Sequence, residues 1–490
     1  VNAHCAPVHL TRLLRNIVDV PARSDIPITD VVLNSRSVKP GSLFLAIPGR
    51  THDPRQFIAD VERRGASAIC FEASDGVSIE TQVPAFPVVN LAEQAGHIAA
   101  QFFDQPSLAL NGIGITGTNG KTTCAWLTAS ALEGLGVRCG LMGTLGLGFV
   151  PQLDAAELTT PDAVAMQRGL RQLVDAGASA VAMELSSHAL DQHRAAAVQL
   201  AVAVFTNLSR DHLDYHGDMR SYADAKAKLF DFPGIHTAVV NADDEFGRTL
   251  ATSLKDKLKV IRFGTAEADV QAVDVRVDSH GLGVTIESVD GRFDIDSKLF
   301  GRINVSNVLA VFATLQALSV DSSEIATLLS RMAPAPGRME QIGIGNNQPA
   351  VVVDYSHTPD SLHKALQSLR EHTDGKLWCV FGCGGDRDAG KRPMMGTVAE
   401  KLADHIVITD DNPRSEPAAN ITGDIVAGMK TRPMIIHDRS EAISYAIEHA
   451  NNNDMVLVAG KGHESTQEIC GEFLPMNDRE MVSSVLGVEA

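Results

Sequence analysis

Long apolar runs are missing from this sequence: nothing in it approaches the ~20 consecutive apolar residues that a membrane-spanning helix requires. No membrane span is therefore expected. Basic residues are in deficit, with 42 Lys and Arg against 60 Asp and Glu, for a formal net charge of −18. A general nucleic-acid binder needs a basic surface, so no nucleic-acid partner is expected. An anionic ligand is still compatible, because it needs only local Lys, Arg and backbone N–H groups. The seven cysteines are odd in number and scattered, and no C-x-x-C occurs, which suits free thiols in a reducing cytosol. The opening VNAHCAPVHLTRLLRNIVDV lacks a signal-peptide apolar core and cleavage site, and a cytoplasmic protein is expected. Tandem repeats, coiled-coil heptads and low-complexity tracts are also lacking.

What remains is ordinary globular material, 44% hydrophobic and 21% charged over 490 residues. At roughly 100–200 residues per domain, this length suggests about three domains. Residues 1–105 alternate short apolar runs with helical stretches. Ser42–Gly49 (SLFLAIPG) reads as a strand entering a turn. Phe57–Phe71 reads as a helix, a stop at Gly65 and a strand. The first boundary is expected near Phe102–Leu110. Residues 106–332 continue the strand–helix alternation, as in a mostly parallel sheet. The Pro- and Gly-rich Ala333–Glu340 marks the second boundary. Residues 333–490 carry VVVDYS, KLWCVFG, HIVITDD and DMVLVAG, the strands of a third, Rossmann-like α/β unit. The fold class expected is α/β in three domains, the central one resembling a P-loop ATPase.

The strongest local signal is GITGTNGKTT, Gly114–Thr123. It follows a strand-like run and leads into a helical one marked by Leu127, Ala131 and Leu135. Gly117 and Gly120 allow the backbone, with Thr118 and Asn119 between them, to bend around phosphate oxygens. Lys121 would reach the β/γ-phosphates of ATP, the Thr122 hydroxyl would hold Mg²⁺, and Thr123 completes the loop. The strict pattern wants Gly six residues before the Lys, where this chain has Ile115, so the loop is a variant. A Gly-rich turn with a chance Lys is the plain alternative.

Glu184 ends the strand-like run AVAME and would lie in the crevice where such sheets bind ligands, which makes it a candidate Mg²⁺ ligand. An acid facing solvent is the alternative. Thr206–Asp218 gathers Asp211, His212, Asp214, His216 and Asp218, either as a second metal site or as a polar helix cap. No zinc spacing is present.

Taken in order along the whole chain, these segments resemble the Mur ligase family. GTNGKTT (Gly117–Thr123) is that family's own form of the loop. TTPD (Thr159–Asp162), MELSSHAL (Met183–Leu190) and FTNLSRDHLDYHGD (Phe205–Asp218) resemble its substrate and metal segments. YADAKAKLF (Tyr222–Phe230) resembles the segment bearing a carbamylated lysine. NADD (Asn241–Asp244) and GRINVSNVLA (Gly301–Ala310) resemble nucleotide-contacting stretches. VVDYSHTPDSL (Val352–Leu362) and GCGGDRDAGKRPMMG (Gly382–Gly396) resemble its later segments, with Ser356 where Ala is usual. DDNPR (Asp410–Arg414) resembles the signature for meso-diaminopimelate rather than L-lysine.

The resemblance implies an ATP-dependent ligation in peptidoglycan synthesis. ATP would phosphorylate the D-glutamyl side-chain carboxylate of UDP-N-acetylmuramoyl-L-alanyl-D-glutamate, and the amine of meso-diaminopimelate would attack the acyl phosphate. Residues 1–105 would bind the UDP-sugar, 106–332 ATP and 333–490 the amino acid, in a monomer. Carried over by motif, Lys121, Glu184, His212 and Lys226 are catalytic, with Lys226 carbamylated by CO₂. Thr122, Glu184, His212 and that carbamate hold magnesium. The loop together with Asn304 and Asn307 binds ATP. Leu33, Ser35, Thr159, Thr160, Ser187, Gln192 and Arg194 bind the muramyl peptide, with the His52 region nearby and Asn34 standing where Asp is usual. Arg387, Asp411, Asn412, Pro413, Arg414, Gly460 and Glu464 bind diaminopimelate.

Chemistry favours that last assignment. Arg414 can grip a second carboxylate with two parallel hydrogen bonds, Asn412 can add a neutral one, and Glu464 can pair with the distal ammonium. Lysine would leave the Arg unpaired. The rivals are the same ligation with L-lysine, a folate-directed glutamate ligase, and a nucleotide switch that performs no ligation.

Overall fold

The first strands form because β-branched and aromatic residues cluster in short runs closed by turns. Asp30–Val32 (β1), Ser42–Ala46 (β2), Ala68–Glu72 (β3) and Ala85–Val88 (β4) pair in parallel in that order. The helix Leu91–Phe102 covers one face. Its buried Leu91, Ala95, Ile98, Ala99 and Phe102 recur at the helical period and meet Leu43, Leu45, Ala68 and Cys70. This computed structural model describes residues 6–49, 52–74, 76–279, 281–343 and 348–488. They pack as two compact units: Val1–Arg262 with Ala313–Leu318, and Phe263–Phe312 with Ser319–Ala490.

The first unit also contains Asn111–Thr116 (β5), Cys139–Gly143 (β6), Gly146–Phe149 (β7), Gln152–Asp154 (β8), Ala180–Glu184 (β9), Val202–Phe205 (β10), Thr237–Asn241 (β11) and the first four residues of Lys259–Gly264 (β12). Their order is β8-β7-β6-β9-β5-β10-β11-β12. The pairs β6–β9, β9–β5, β5–β10 and β10–β11 are parallel, while β7 and β8 turn back antiparallel. From β5 the chain goes first to one side, toward β6 and β9, and later to the other, toward β10. The carboxyl end of β5 is therefore the switch point at which open α/β sheets bind ligands. The β1–β4 sheet is tied in by Arg168 on the helix Ala163–Asp175, which donates to Asp30 Oδ1 at 2.8 Å. Gly96 packs so closely that a Cβ there would lie 2.3 Å from the Ala196 carbonyl oxygen.

The second unit opens with an antiparallel meander, Val270–Asp278 (β13), Gly281–Ser288 (β14) and Gly291–Ser297 (β15). Glu340–Ile342 (β16), Ala350–Asp354 (β17), Leu377–Phe381 (β18), His405–Ile408 (β19), Met434–Ile435 (β20) and Met455–Ala459 (β21) then form a sheet of order β16-β17-β21-β18-β19-β20. All its pairs are parallel except β16–β17. Alternation along each strand feeds two cores. Val352, Cys379, Phe381 and Leu457 face one helical layer, and Val351, Val353, Val380, Val456 and Val458 face the other. All four apolar runs read from the sequence are strands here. Thr466–Ile469 (β22) and Glu472–Pro475 (β23) add a small hairpin. Among the described residues no helix is long and apolar enough to cross a membrane.

Candidate active site

The chain leaves β5 at Thr116 and reaches the helix Lys121–Gly134 through Gly117–Gly120. Gly117 (φ 149°) and Gly120 (φ 85°) hold backbone angles that side chains resist. A Cβ on Gly117 would lie 1.9 Å from Thr206 Oγ1 and 3.1 Å from the Asn207 nitrogen. The loop is pinned from the end of β10. Thr118 N donates to the Asn207 carbonyl at 2.8 Å, Asn119 N donates to Asn207 Oδ1 at 2.9 Å, and Asn207 Nδ2 donates back to the Asn119 carbonyl at 3.0 Å. Lys121 Nζ curls over the loop onto the Gly117 and Thr118 carbonyls at 3.0 and 2.9 Å. The result is a preformed anion cradle at a helix N-terminus. Gly117→Ala should weaken ATP binding by roughly 5- to 150-fold, the equivalent of about 1–3 kcal/mol of backbone strain. Titration with a fluorescent ATP analogue checks this, and unaltered affinity would contradict it.

Glu184 is buried at the end of β9 and sits beside the cradle. Its Oε2 accepts from Thr122 Oγ1 at 2.8 Å, and its Oε1 accepts from Thr144 N at 2.8 Å. Gly143 has no room for a side chain, since a Cβ would lie 2.2 Å from Glu184 Oε1. Thr160, also buried, donates to the Glu184 carbonyl at 2.7 Å, and the Thr159 and Thr144 hydroxyls lie 3.0 Å apart. Thr122 and Glu184, expected to share a cation, are thus in direct contact.

Lys226 is buried on the helix Met219–Ala227 and donates to the Gly117 carbonyl at 2.8 Å. Burial, seconded by the charge of Lys121, pushes its amine well below the ordinary lysine range. Tyr222, one helical turn earlier, places its ring 4.3 Å from Lys226 Nζ and its hydroxyl 3.2 Å from Thr118 Oγ1. Lys228 points away to an exposed pair with Asp191 at 2.7 Å. The two lysines of YADAKAKLF thus occupy opposite environments. His212 takes a left-handed backbone (φ 53°), pairs with Asp211 at 3.5 Å and stacks edge-on against His188 at 4.8 Å. Asp218 fills the bland role of a cap, accepting from Ser221 N at 2.8 Å.

Of the residues read as peptide contacts, Thr160, Gln192 and Arg194 are joined by hydrogen bonds. Arg194 donates to the Thr160 carbonyl at 3.1 Å and to Gln192 Oε1 at 2.9 Å. Gln192 donates to the Tyr215 hydroxyl at 3.0 Å, and Ser187 Oγ lies 3.0 Å from His216 Nε2. Leu33 and Ser35 follow β1, with Leu33 against the apolar core and Ser35 opening a short turn that Asn34 caps through Arg36 N. The His52 carbonyl accepts from Gly49 N at 2.8 Å. In the second unit Asn304 and Asn307 are buried on the helix Ile303–Ala317 and bond to each other at 2.7 Å.

The second unit gathers the DNPR loop, the turn after β21 and the hairpin. Arg414, with a left-handed backbone (φ 55°), sends Nε to Glu468 Oε2 and Nη1 to the Gly385 carbonyl, both at 2.9 Å. Asn412 is buried and donates to Glu464 Oε2 at 3.0 Å. Asp411 and Pro413 are buried beside it, and Gly460 comes so near that a Cβ would lie 2.6 Å from Asp411 Oδ2. Arg387 is exposed on the glycine-rich loop after β18. The loop therefore offers a cation and an amide donor next to a carboxylate.

Family models match this chain in three consecutive stretches. The Mur ligase family catalytic domain covers residues 27–103, the Mur ligase middle domain 115–315, and the Mur ligase glutamate ligase domain 337–462. This chain belongs to the Mur ligase family. The UDP-N-acetylmuramoyl-L-alanyl-D-glutamate--2,6-diaminopimelate ligase of Pseudomonas syringae pv. tomato is 48% identical over 464 residues, 94% of this chain and 95% of that one. The enzyme of that name from Coxiella burnetii is 45% identical over 472 residues, 94% and 96% of the two chains. A solved structure of a ligase of the same name superposes with a TM-score of 0.72 at 34% identity, covering 98% of this chain and 99% of that one.

Several members of this Mur ligase site escaped the reading of the sequence. Asn207 clamps the loop, Thr144 holds Glu184, and Tyr222 spans Thr118 and Lys226. Only Tyr222 left a usable signal, its spacing of four residues from Lys226 on a helix. In the second unit, Tyr355 beside the DNPR cluster also went unread. Arg338 lies over its ring at 4.5 Å, and burial, seconded by the Glu464 carboxylate, raises its phenol above the ordinary range.

Proposed function

We propose that this chain joins meso-2,6-diaminopimelate to the D-glutamyl side-chain carboxylate of UDP-N-acetylmuramoyl-L-alanyl-D-glutamate, driven by ATP. A carboxylate is a poor electrophile in water. One of its oxygens takes the γ-phosphoryl group, releasing ADP and leaving an acyl phosphate. The diaminopimelate amine attacks the acyl carbon, the tetrahedral intermediate expels phosphate, and the nitrogen loses a proton. Residues 106–332 hold ATP, 1–105 the sugar nucleotide and 333–490 the amino acid, in a cytoplasmic monomer.

The cradle and Lys121 orient the triphosphate and offset its charge. Arg194, held by Gln192 and Thr160, meets the anionic peptide together with Ser187. The oxygens of Glu184 and Thr122, in contact at 2.8 Å, are the hard donors that Mg²⁺ prefers. Magnesium held by them, by His212 and by a carbamate on Lys226 would neutralise charge on the transferred group. The environment of Lys226 favours that modification, because only a neutral amine attacks CO₂. A nitrogen–carbon bond forms, a proton leaves, and an anion replaces a cation. Asn304 and Asn307 contribute to nucleotide binding.

The observation that carries the choice of amino acid is a cation and an acid in one loop cluster: Arg414 bonds Glu468, whose backbone N–H bonds Asn412, and Asn412 bonds Glu464, a set that suits a carboxylate and an ammonium on one carbon. Product mass after incubation with ATP, Mg²⁺, the muramyl dipeptide and either amino acid tests this reading. A mass gain of one diaminopimelate residue is expected, and a preference for L-lysine would overturn it.

A further inference from the structure

Lys461 is fully buried, a rare state for a lysine and one that requires its charge to be matched. Gly460 (φ 119°) and Gly462 (φ 55°) flank it and turn its side chain inward. Its ammonium has three N–H bonds, and three acceptors surround it: Asn412 Oδ1 at 3.1 Å, Glu464 Oε2 at 2.9 Å and the Thr466 carbonyl at 2.7 Å. Nothing is left with which Lys461 could bind a ligand directly. It acts through the residues it holds, and two of those face the amino acid.

Asn412 shows the consequence. Its Oδ1 accepts from Lys461 Nζ and also from the Glu468 backbone N–H at 2.9 Å, while its Nδ2 donates to Glu464 Oε2 at 3.0 Å. Ammonium and backbone N–H are both obligate donors, and a carboxylate is an acceptor, so the amide can sit only one way round. Both lone pairs of Oδ1 are used. The side chain can offer a ligand one N–H and no acceptor. Oε2 of Glu464 likewise accepts from both Asn412 and Lys461, so the same two residues fix the carboxylate.

We infer that Lys461 is a positioning residue: it fixes Asn412 as a donor-only group and Glu464 as the adjacent acceptor, and so sets the preference for an amino acid with a second carboxylate. This rests on the ligation proposed above and adds the group that enforces its selectivity. An ammonium or a methylene facing Asn412 leaves the buried N–H unmatched, and sites built around such a group reject ligands that cannot satisfy it.

The test is steady-state kinetics of Lys461→Met and Lys461→Gln with diaminopimelate and with L-lysine, alongside thermal unfolding. For Lys461→Met we expect KM for diaminopimelate to rise about tenfold or more, with kcat changed less than about threefold and KM for ATP unaltered. The ratio of kcat/KM for diaminopimelate over lysine should fall by about tenfold, and Lys461→Gln, which keeps two of the three N–H donors, should recover part of it. An unchanged ratio, or a parallel loss of kcat and ATP affinity, overturns the inference. Should both variants unfold, Asn412→Asp decides. It keeps an oxygen toward Lys461 and Glu468 and puts an oxygen where the ligand met N–H, so the preference must collapse, and a preserved preference overturns the inference. A wild-type protein that forms no diaminopimelate product would sink the ligation itself. A normal wild-type product with an unchanged ratio in Lys461→Met would sink only the role of Lys461.

Discussion

Replacing Lys226 with Ala should lower kcat by about 10²–10³-fold or more, the scale on which losing one charge-stabilising group acts. Lys226 is buried against the Gly117 carbonyl, beside the phosphate loop, and burial seconded by Lys121 pushes its amine well below the ordinary lysine range. An ammonium there would stand near a second cation, Lys121, and would repel magnesium. A carbamate reverses both effects. KM for diaminopimelate should hardly change, because the carbamate is assigned to the metal and the transferred phosphoryl group, and the DNPR loop to the amino acid. Lys226→Arg should not recover activity, since a guanidinium remains charged and does not take up CO₂. Millimolar acetate or formate should partly rescue Lys226→Ala by supplying the missing carboxylate. Full activity in Lys226→Ala, or rescue by chloride as good as rescue by acetate, would remove the carbamate from the mechanism.

Replacing Arg414 with Ala should separate the two candidate amino acids. Two of the Arg414 nitrogens are committed within the loop, Nε to Glu468 and Nη1 to the Gly385 carbonyl. These two bonds fix the plane of the guanidinium before substrate arrives. Loss of a charge-assisted partner for a buried carboxylate should reduce kcat/KM for diaminopimelate by about 10²–10⁴-fold, while the slow reaction with L-lysine changes little. Arg414→Lys should behave like Arg414→Ala, because an ammonium cannot hold Glu468 and Gly385 while presenting a planar fork. If diaminopimelate and lysine rates fell together, Arg414 would be only a fastener between the hairpin and the glycine-rich loop.

How far the sequence disclosed these sites depended on whether the cue was local. The phosphate loop was legible because two glycines, a lysine and two threonines must be contiguous to cradle phosphate. Glu184 was legible as an acid ending an apolar strand. Lys226 was not: by its residues alone it reads as a solvated lysine beside Lys228. The difference arises only when the helix Met219–Ala227 packs and one lysine goes inward while the other reaches Asp191. Lys461 hides in the same way, because nothing in A-G-K-G-H-E announces that the lysine is enclosed. The left-handed backbone of Arg414 and the clamp from Asn207 depend on partners distant in sequence. The strands ending at Thr116 and Glu184, and four strands of the last sheet, were visible as apolar runs. Their order, which creates the switch point at β5, depends on long-range pairing that no local pattern records.

The account requires that phosphorylation turn an inert carboxylate into an acylating agent, and oxygen tracing tests this most directly. The muramyl dipeptide carrying ¹⁸O in its D-glutamyl side-chain carboxylate is turned over with ATP, Mg²⁺ and diaminopimelate, and the released phosphate is weighed by mass spectrometry. One ¹⁸O atom should appear in each phosphate formed with product. Product formed together with unlabelled phosphate, the lost ¹⁸O leaving in water instead, would contradict the account.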